Sequence, residues 1–248
     1  MNYIASVSDF FRSPKWMPNL LLGGLCMLIP IVGPMVVIGW HSAAHFGRRG
    51  ALDYENYPAF NFDHFSKHLE RGVWPFLVNL AASVVMVPLM WVLMVVPMGL
   101  GIAGMAAMEE QGTKEPPVLL IIGFSLVMFL AYMACFAVFM LVVKPLMIRA
   151  ALTQDFAAAF NFKFMREFTR HTWLQQIAGA LFLMVAGLVL MMAGMLVFCV
   201  GMYAAISLTM FTMWHLDRQL YDLYLARGGE PVPVSPKISD QPPPLVIH

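Results

Sequence analysis

Glu109-Glu110-Gln111-Gly112-Thr113-Lys114-Glu115-Pro116-Pro117 is an acidic, proline-ended break between two long apolar stretches, and it contains one of the chain's 15 Lys and Arg residues. The other basic residues cluster elsewhere. Arg12 and Lys15 precede the first apolar stretch (residues 19–40), and Arg48, Arg49, Lys67 and Arg71 separate it from the second (73–108). Lys144, Arg149, Lys163, Arg166 and Arg170 follow the third (118–143), and Arg218, Arg227 and Lys237 follow the fourth (173–214). Basic residues flanking membrane spans are retained on the cytoplasmic side, so the Glu109 to Pro117 segment reads as an outer turn.

Composition agrees with a lipid solvent. A chain of 248 residues that is 60% hydrophobic and 12% charged has too little polar surface to wrap a soluble globule. Nucleic acid is not an expected partner, because no basic patch with interleaved aromatics is present. Cys26, Cys135 and Cys199 lie in apolar runs without C-x-x-C spacing and read as small core residues, not as a disulfide or zinc framework. A cleaved signal peptide is not expected, since the apolar run at 20–29 leads into Pro30 and Gly33 rather than a small-residue cleavage site.

A crossing needs about 20 residues at about 1.5 Å each, so the first and third stretches are each long enough for one span, and the fourth is about twice that length. If every basic cluster is cytoplasmic, the first and fourth stretches must each enter and return. The second and third then form a hairpin through the acidic loop, with both termini inside. Ile29-Pro30-Ile31-Val32-Gly33-Pro34 supplies a break for the first return, leaving arms of about 15 residues, roughly 22 Å, which suit a re-entrant or thinned pair. The fourth stretch has its candidate turn at Gly194 to Gly201, which lacks a polar turn residue; in an unbroken helix Gly187, Gly194 and Gly201 would instead line one face. The predicted fold is therefore an all-α polytopic transmembrane bundle of about six membrane helices. A five-span arrangement with an outside N-terminus is the alternative.

The sequence also echoes itself. Ala59-Phe60-Asn61-Phe62 returns as Ala159-Phe160-Asn161-Phe162, and each copy leads through a charged, aromatic segment to a tryptophan, Trp74 or Trp173. Both segments, 59–74 and 159–173, are predicted to be cytoplasmic amphipathic helices at the membrane interface, with packing against the bundle as the other possibility. Trp16, Trp40, Trp74, Trp173 and Trp214 suit interfacial belts. Residues 1–227 read as a single integral membrane domain carrying this pseudo-repeat. Residues 228–248 read as a proline-rich tail, disordered or held by a partner.

Candidate chemistry is sparse. His41 and His45, and again His64 and His68, stand four residues apart and so share a helical face, the spacing of a metal-binding pair. The additional histidine clusters of membrane di-iron oxygenases are missing, so interfacial histidines satisfied by water and headgroups are the competing reading. Asn79, Ser83, Lys144, Gln175 and Gln176 form the possible intramembrane polar site. Lys144 is expected to snorkel to the interface, because no acidic partner lies at comparable depth elsewhere in the sequence. The 22 methionines lie among leucines and valines and read as packing. No activated nucleophile, paired intramembrane carboxylates, phosphate-binding loop or H-E-x-x-H motif is present, so an enzyme is not expected and no cofactor is implied.

Trp16-Met17-Pro18-Asn19-Leu20-Leu21-Leu22-Gly23-Gly24, the Ile29 to Pro34 run, the two Ala-Phe-Asn-Phe segments and Leu220-Tyr221-Asp222-Leu223-Tyr224 together resemble small polytopic prokaryotic families of unknown function. Those families are similar to the membrane domain of bacterial glycerophosphodiester phosphodiesterases. The resemblance implies a helical inner-membrane bundle without transferable catalytic residues. The expected function is thus a non-enzymatic accessory, assembly or membrane-organising component of the inner membrane. It would contact membrane lipids, a protein partner through the interfacial helices or tail, or further copies of itself. A small-solute or ion channel or transporter, as an oligomer, and a His-ligated metalloprotein are the alternatives.

Overall fold

The computed structural model describes residues 1–47, 53–110, 118–197 and 200–238. Among them the chain is helical with no strand: α1 (Ala5–Ser8), α2 (Trp16–Cys26), α3 (Val32–Phe46), α4 (Phe65–Glu110), α5 (Val118–Thr153), α6 (Phe156–Ala159), α7 (Phe162–Met195) and α8 (Val200–Ala226). Residues 111–117, which carry most of the predicted outer turn, lie outside the described residues, as do Arg48, Arg49 and Cys199.

The longer helices break where proline and glycine predicted. After α2, the Val32 N–H donates to the Pro30 carbonyl at 2.6 Å across Ile31, whose φ of 65° is uncommon for a β-branched residue. Pro34 then falls in the first turn of α3, where a missing N–H costs no helical bond. At 11 and 15 residues, α2 and α3 are about 16 and 22 Å long, shorter than a hydrocarbon core of about 30 Å. In the fourth stretch α7 ends at Met195 and α8 starts at Val200. Gly194 and Gly201 face each other across that turn: a Cβ on Gly194 would stand 2.6 Å from the Gly201 carbonyl oxygen. Their spacing serves the turn, not a stripe along one helix.

Phe62–Gly104, Ile121–Thr153 and Phe162–Met195 are long and apolar enough to cross a membrane. By contact the chain divides into two units, Leu80–Met140 and the combination of Met1–Asn79 with Leu141–His248. Within Leu80–Met140, side chains such as Val85, Trp91 and Leu100 on α4, and Val127, Phe129 and Leu130 on α5, are exposed. Those two arms approach at Gly101, where an added Cβ would meet the Phe124 ring at 2.8 Å.

The other unit has a packed core. Trp40, Val36 and Val37 of α3, Cys26 of α2, Phe211 of α8, and Phe10, Tyr57 and Phe60 form one cluster; Val78, Leu146, Ala150 and Ala159 form another. Helices α3 and α4 cross backbone to backbone at Gly39 and Gly72, where a Cβ on either would collide with the carbonyl of His68 or Met35. Such closeness needs glycine at both positions.

The echoed segments are not separate helices. Each is the opening of a long one: α4 runs unbroken from Phe65 to Glu110, and α7 from Phe162 to Met195. Their shared asparagines are caps. Asn61 Oδ1 accepts from the Asp63 N–H at 3.0 Å and Asn161 Oδ1 from the Phe164 N–H at 2.9 Å, which satisfies backbone donors that a helix start leaves open.

The described part of the tail is docked on its own chain. Tyr224 and Tyr221 hydroxyls accept from the N–H groups of Glu230 (3.1 Å) and Val232 (2.8 Å), and the Ser235 N–H donates to the Leu152 carbonyl at 2.8 Å. Arg71 Nε donates to the Lys237 carbonyl at 2.8 Å, Lys237 Nζ reaches Glu70 at 2.7 Å, and Val232 and Ile238 are buried.

Candidate functional site

Titratable groups converge in the core between α3, α8, the N-terminal segment and the loop before α4. His41 and His45 are fully buried on one face of α3. His45 Nδ1 stands 2.8 Å from the His41 carbonyl, and since a carbonyl only accepts, that nitrogen carries the proton. His41 Nδ1 lies 2.8 Å from the Tyr57 hydroxyl, and its ring stacks on Trp40 at 4.2 Å.

From α8, His215 completes the group. Gln219 Nε2 lies 2.9 Å from its Nδ1, and Asp9 Oδ2 3.2 Å from its Nε2. An amide nitrogen donates and a carboxylate accepts, so the His215 proton belongs on Nε2, facing Asp9. Tyr54 stacks on His215 at 4.8 Å, and the His45 ring is 5.9 Å away. Burial, reinforced by the Asp9 charge, pushes the Tyr54 phenol up, which keeps it a neutral hydroxyl. Phe211 sits among these rings, 5.3 Å from His45 and 5.8 Å from His41. His41 and His45 are thus each hydrogen-bonded through Nδ1 inside the core.

The two predicted histidine pairs are placed differently. His64 is exposed on the first turn into α4, with its ring 6.2 Å from that of His68, which is buried against Phe60. Among the described residues no group of three or more His, Cys, Asp or Glu could hold a metal ion.

Lys144 departs from expectation. Its Nζ lies 2.6 Å from Asp217 Oδ1, with the two side chains only 8% and 0% exposed. Lys144 therefore does not snorkel; α8 brings a carboxylate to its level. In sequence Asp217 lies beyond the apolar stretches, after the last tryptophan, in a segment that reads as an amphipathic helix end. Its spacing was informative, since Trp214, Asp217, Tyr221 and Tyr224 recur at three and four residues and are all buried. Withdrawing such a pair from water costs several kcal/mol per ion, offset only by close geometry.

The other polar candidates are dispersed. Gln176 Nε2 donates to Thr172 Oγ1 at 3.0 Å, and Thr172 in turn donates to the Phe168 carbonyl at 2.7 Å. Gln175 accepts from Arg227 at 3.3 Å. Asn79 is half-buried in the larger unit, and Ser83 is half-buried within Leu80–Met140. Asp9, Tyr54 and Tyr57, which hold the histidines, had no motif to mark them.

No curated protein and no solved structure matches the chain. Residues 22–199 match the model of DUF4013, described as a protein of unknown function, and because the match covers well over half of these helices and loops, the chain belongs to that family.

Proposed function

We propose that the protein is a non-enzymatic component of a prokaryotic inner membrane, with both termini cytoplasmic, that organises or assembles other membrane constituents. Six of its helices would enter the membrane, α2 and α3 as a re-entrant pair. The first turns of α4 and α7 would lie at the cytoplasmic interface and, with the tail, would meet lipids, a protein partner or another copy. The observation that carries this reading is the internal engagement of groups a solute pathway would need: Lys144 is bound to Asp217, Gln176 to Thr172 and Gln175 to Arg227. The family match supplies no link to glycerophosphodiester phosphodiesterases, and none of their chemistry is carried over.

Sidedness is tested with single cysteines in a background lacking Cys26, Cys135 and Cys199. Thr113→Cys should react with a membrane-impermeant maleimide on intact cells, and Gln241→Cys only after permeabilisation; the reverse pattern would overturn the orientation. Mass analysis of the full chain in native-like lipid tests the role, with a stoichiometric protein partner expected. Solute or ion flux through proteoliposomes without a partner would instead establish the channel reading, and stoichiometric bound metal the histidine-ligand reading.

A further inference from the structure

The opening of α7 presents a basic, aromatic-flanked face. Phe162, Lys163, Arg166, Arg170 and Trp173 are all exposed, and at 3.6 residues per turn they fall within about 100° of arc. The opposite side packs inward, with Phe164 and Phe168 against Tyr224. Lys163 is engaged by Glu230 at 3.5 Å and Glu167 at 4.0 Å. Arg166 and Arg170 make no ion pair among the described residues. One turn apart, they place two uncompensated guanidinium groups between an aromatic ring at each end.

Beyond Trp173 the same face turns apolar: Leu174, Leu181, Met184, Leu188, Met192 and Met195 are all exposed. The rise from Trp173 to Met195 is about 33 Å, close to the thickness of a hydrocarbon core. With that apolar run in the bilayer, a reading that rests on the proposed membrane role, Trp173 sits at the boundary and the two arginines at headgroup depth.

We propose that this face binds anionic phospholipid, with Arg166 and Arg170 gripping lipid phosphates between Phe162 and Trp173. A guanidinium donates two parallel N–H groups to phosphate oxygens, which gives a directed contact and not just attraction. Charge selects the lipid class. Three cations against the carboxylates of Glu167 and Glu230 leave this face net positive, which complements a net negative headgroup, and both carboxylates lie against Lys163, away from the ammonium a zwitterionic headgroup would bring. The echoed opening of α4 is different, since Arg71 is buried and Glu70 is paired with Lys237.

The test uses the full chain, purified in mild detergent and offered mixed vesicles of phosphatidylglycerol and phosphatidylethanolamine, with retained lipid identified by native mass spectrometry. The native chain should prefer the anionic lipid, and Arg166→Gln with Arg170→Gln should lose that preference by about fivefold per arginine. Arg166→Lys with Arg170→Lys should keep part of it, and Lys67→Gln all of it. Equal retention by the native and doubly substituted chains, with unchanged thermal melting, would overturn the site while leaving the membrane reading intact. Release of the native chain from membranes by alkaline washing would overturn both. Co-isolation of an acidic protein in place of lipid, lost in the same double variant, would overturn the lipid assignment.

Discussion

The openings of α4 and α7 begin from the same four residues and use the same asparagine cap, yet dispose of their charge in opposite ways. In the first, Arg71 is drawn inside to the Lys237 carbonyl and Glu70 is tied to the Lys237 ammonium, so the docked tail engages both charges. In the second, Arg166 and Arg170 point outward beside an exposed Trp173. The difference arises from what each helix meets. Helix α4 crosses α3 at bare glycine backbone and is held by Lys237 of the tail, whereas one side of α7 packs on α8 and the other stays open. A shared motif can therefore set the start of a helix without setting the role of its charges.

That contrast between cations turned in and cations turned out can be broken by substitution, and unfolding of the detergent-solubilised chain measures each effect. The largest change belongs to the most buried charge: Asp217→Ala strands the Lys144 ammonium and should cost about 3–5 kcal/mol, with Lys144→Met in the same chain restoring most of it. Gly72→Ala, which drives a methyl into the Met35 carbonyl, should cost about 3 kcal/mol. Arg71→Gln removes a buried charged donor and should cost about 2 kcal/mol and expose the tail to protease. Asn161→Ala should cost about 1 kcal/mol through loss of the cap, and Asn61→Ala a similar amount or less, because Asn61 caps a single 3-10 turn. Arg170→Gln should stay within about 0.5 kcal/mol, since the residue faces outward; a large loss there would erase the contrast.

Legibility followed the range of the interaction. The breaks at Pro30 and at Gly194 to Gly201 could be read locally, because proline removes a donor and glycine admits close backbone, whatever surrounds them. Likewise the i, i+4 histidine pairs correctly placed His41 with His45 on one helix face. Whether a face looks inward is not a local property: His41 and His45 are buried, while His64 is exposed and His68 is not. The charged, aromatic segments 59–74 and 159–173 stand out by composition, but nothing in them signals that the helix continues without a break into the apolar stretch.

By itself the sequence determined the helical class, the apolar stretches, the main breaks and the asymmetric placement of basic residues. These depend on composition and on neighbours within one or two turns. Only the tertiary structure decided which charges are partnered. Lys144 and Asp217 are 73 residues apart, His215 and Asp9 206 apart, and Arg71 meets Lys237 across 166. No periodicity spans such separations; packed helices bring those groups together, and burial away from water makes each contact matter.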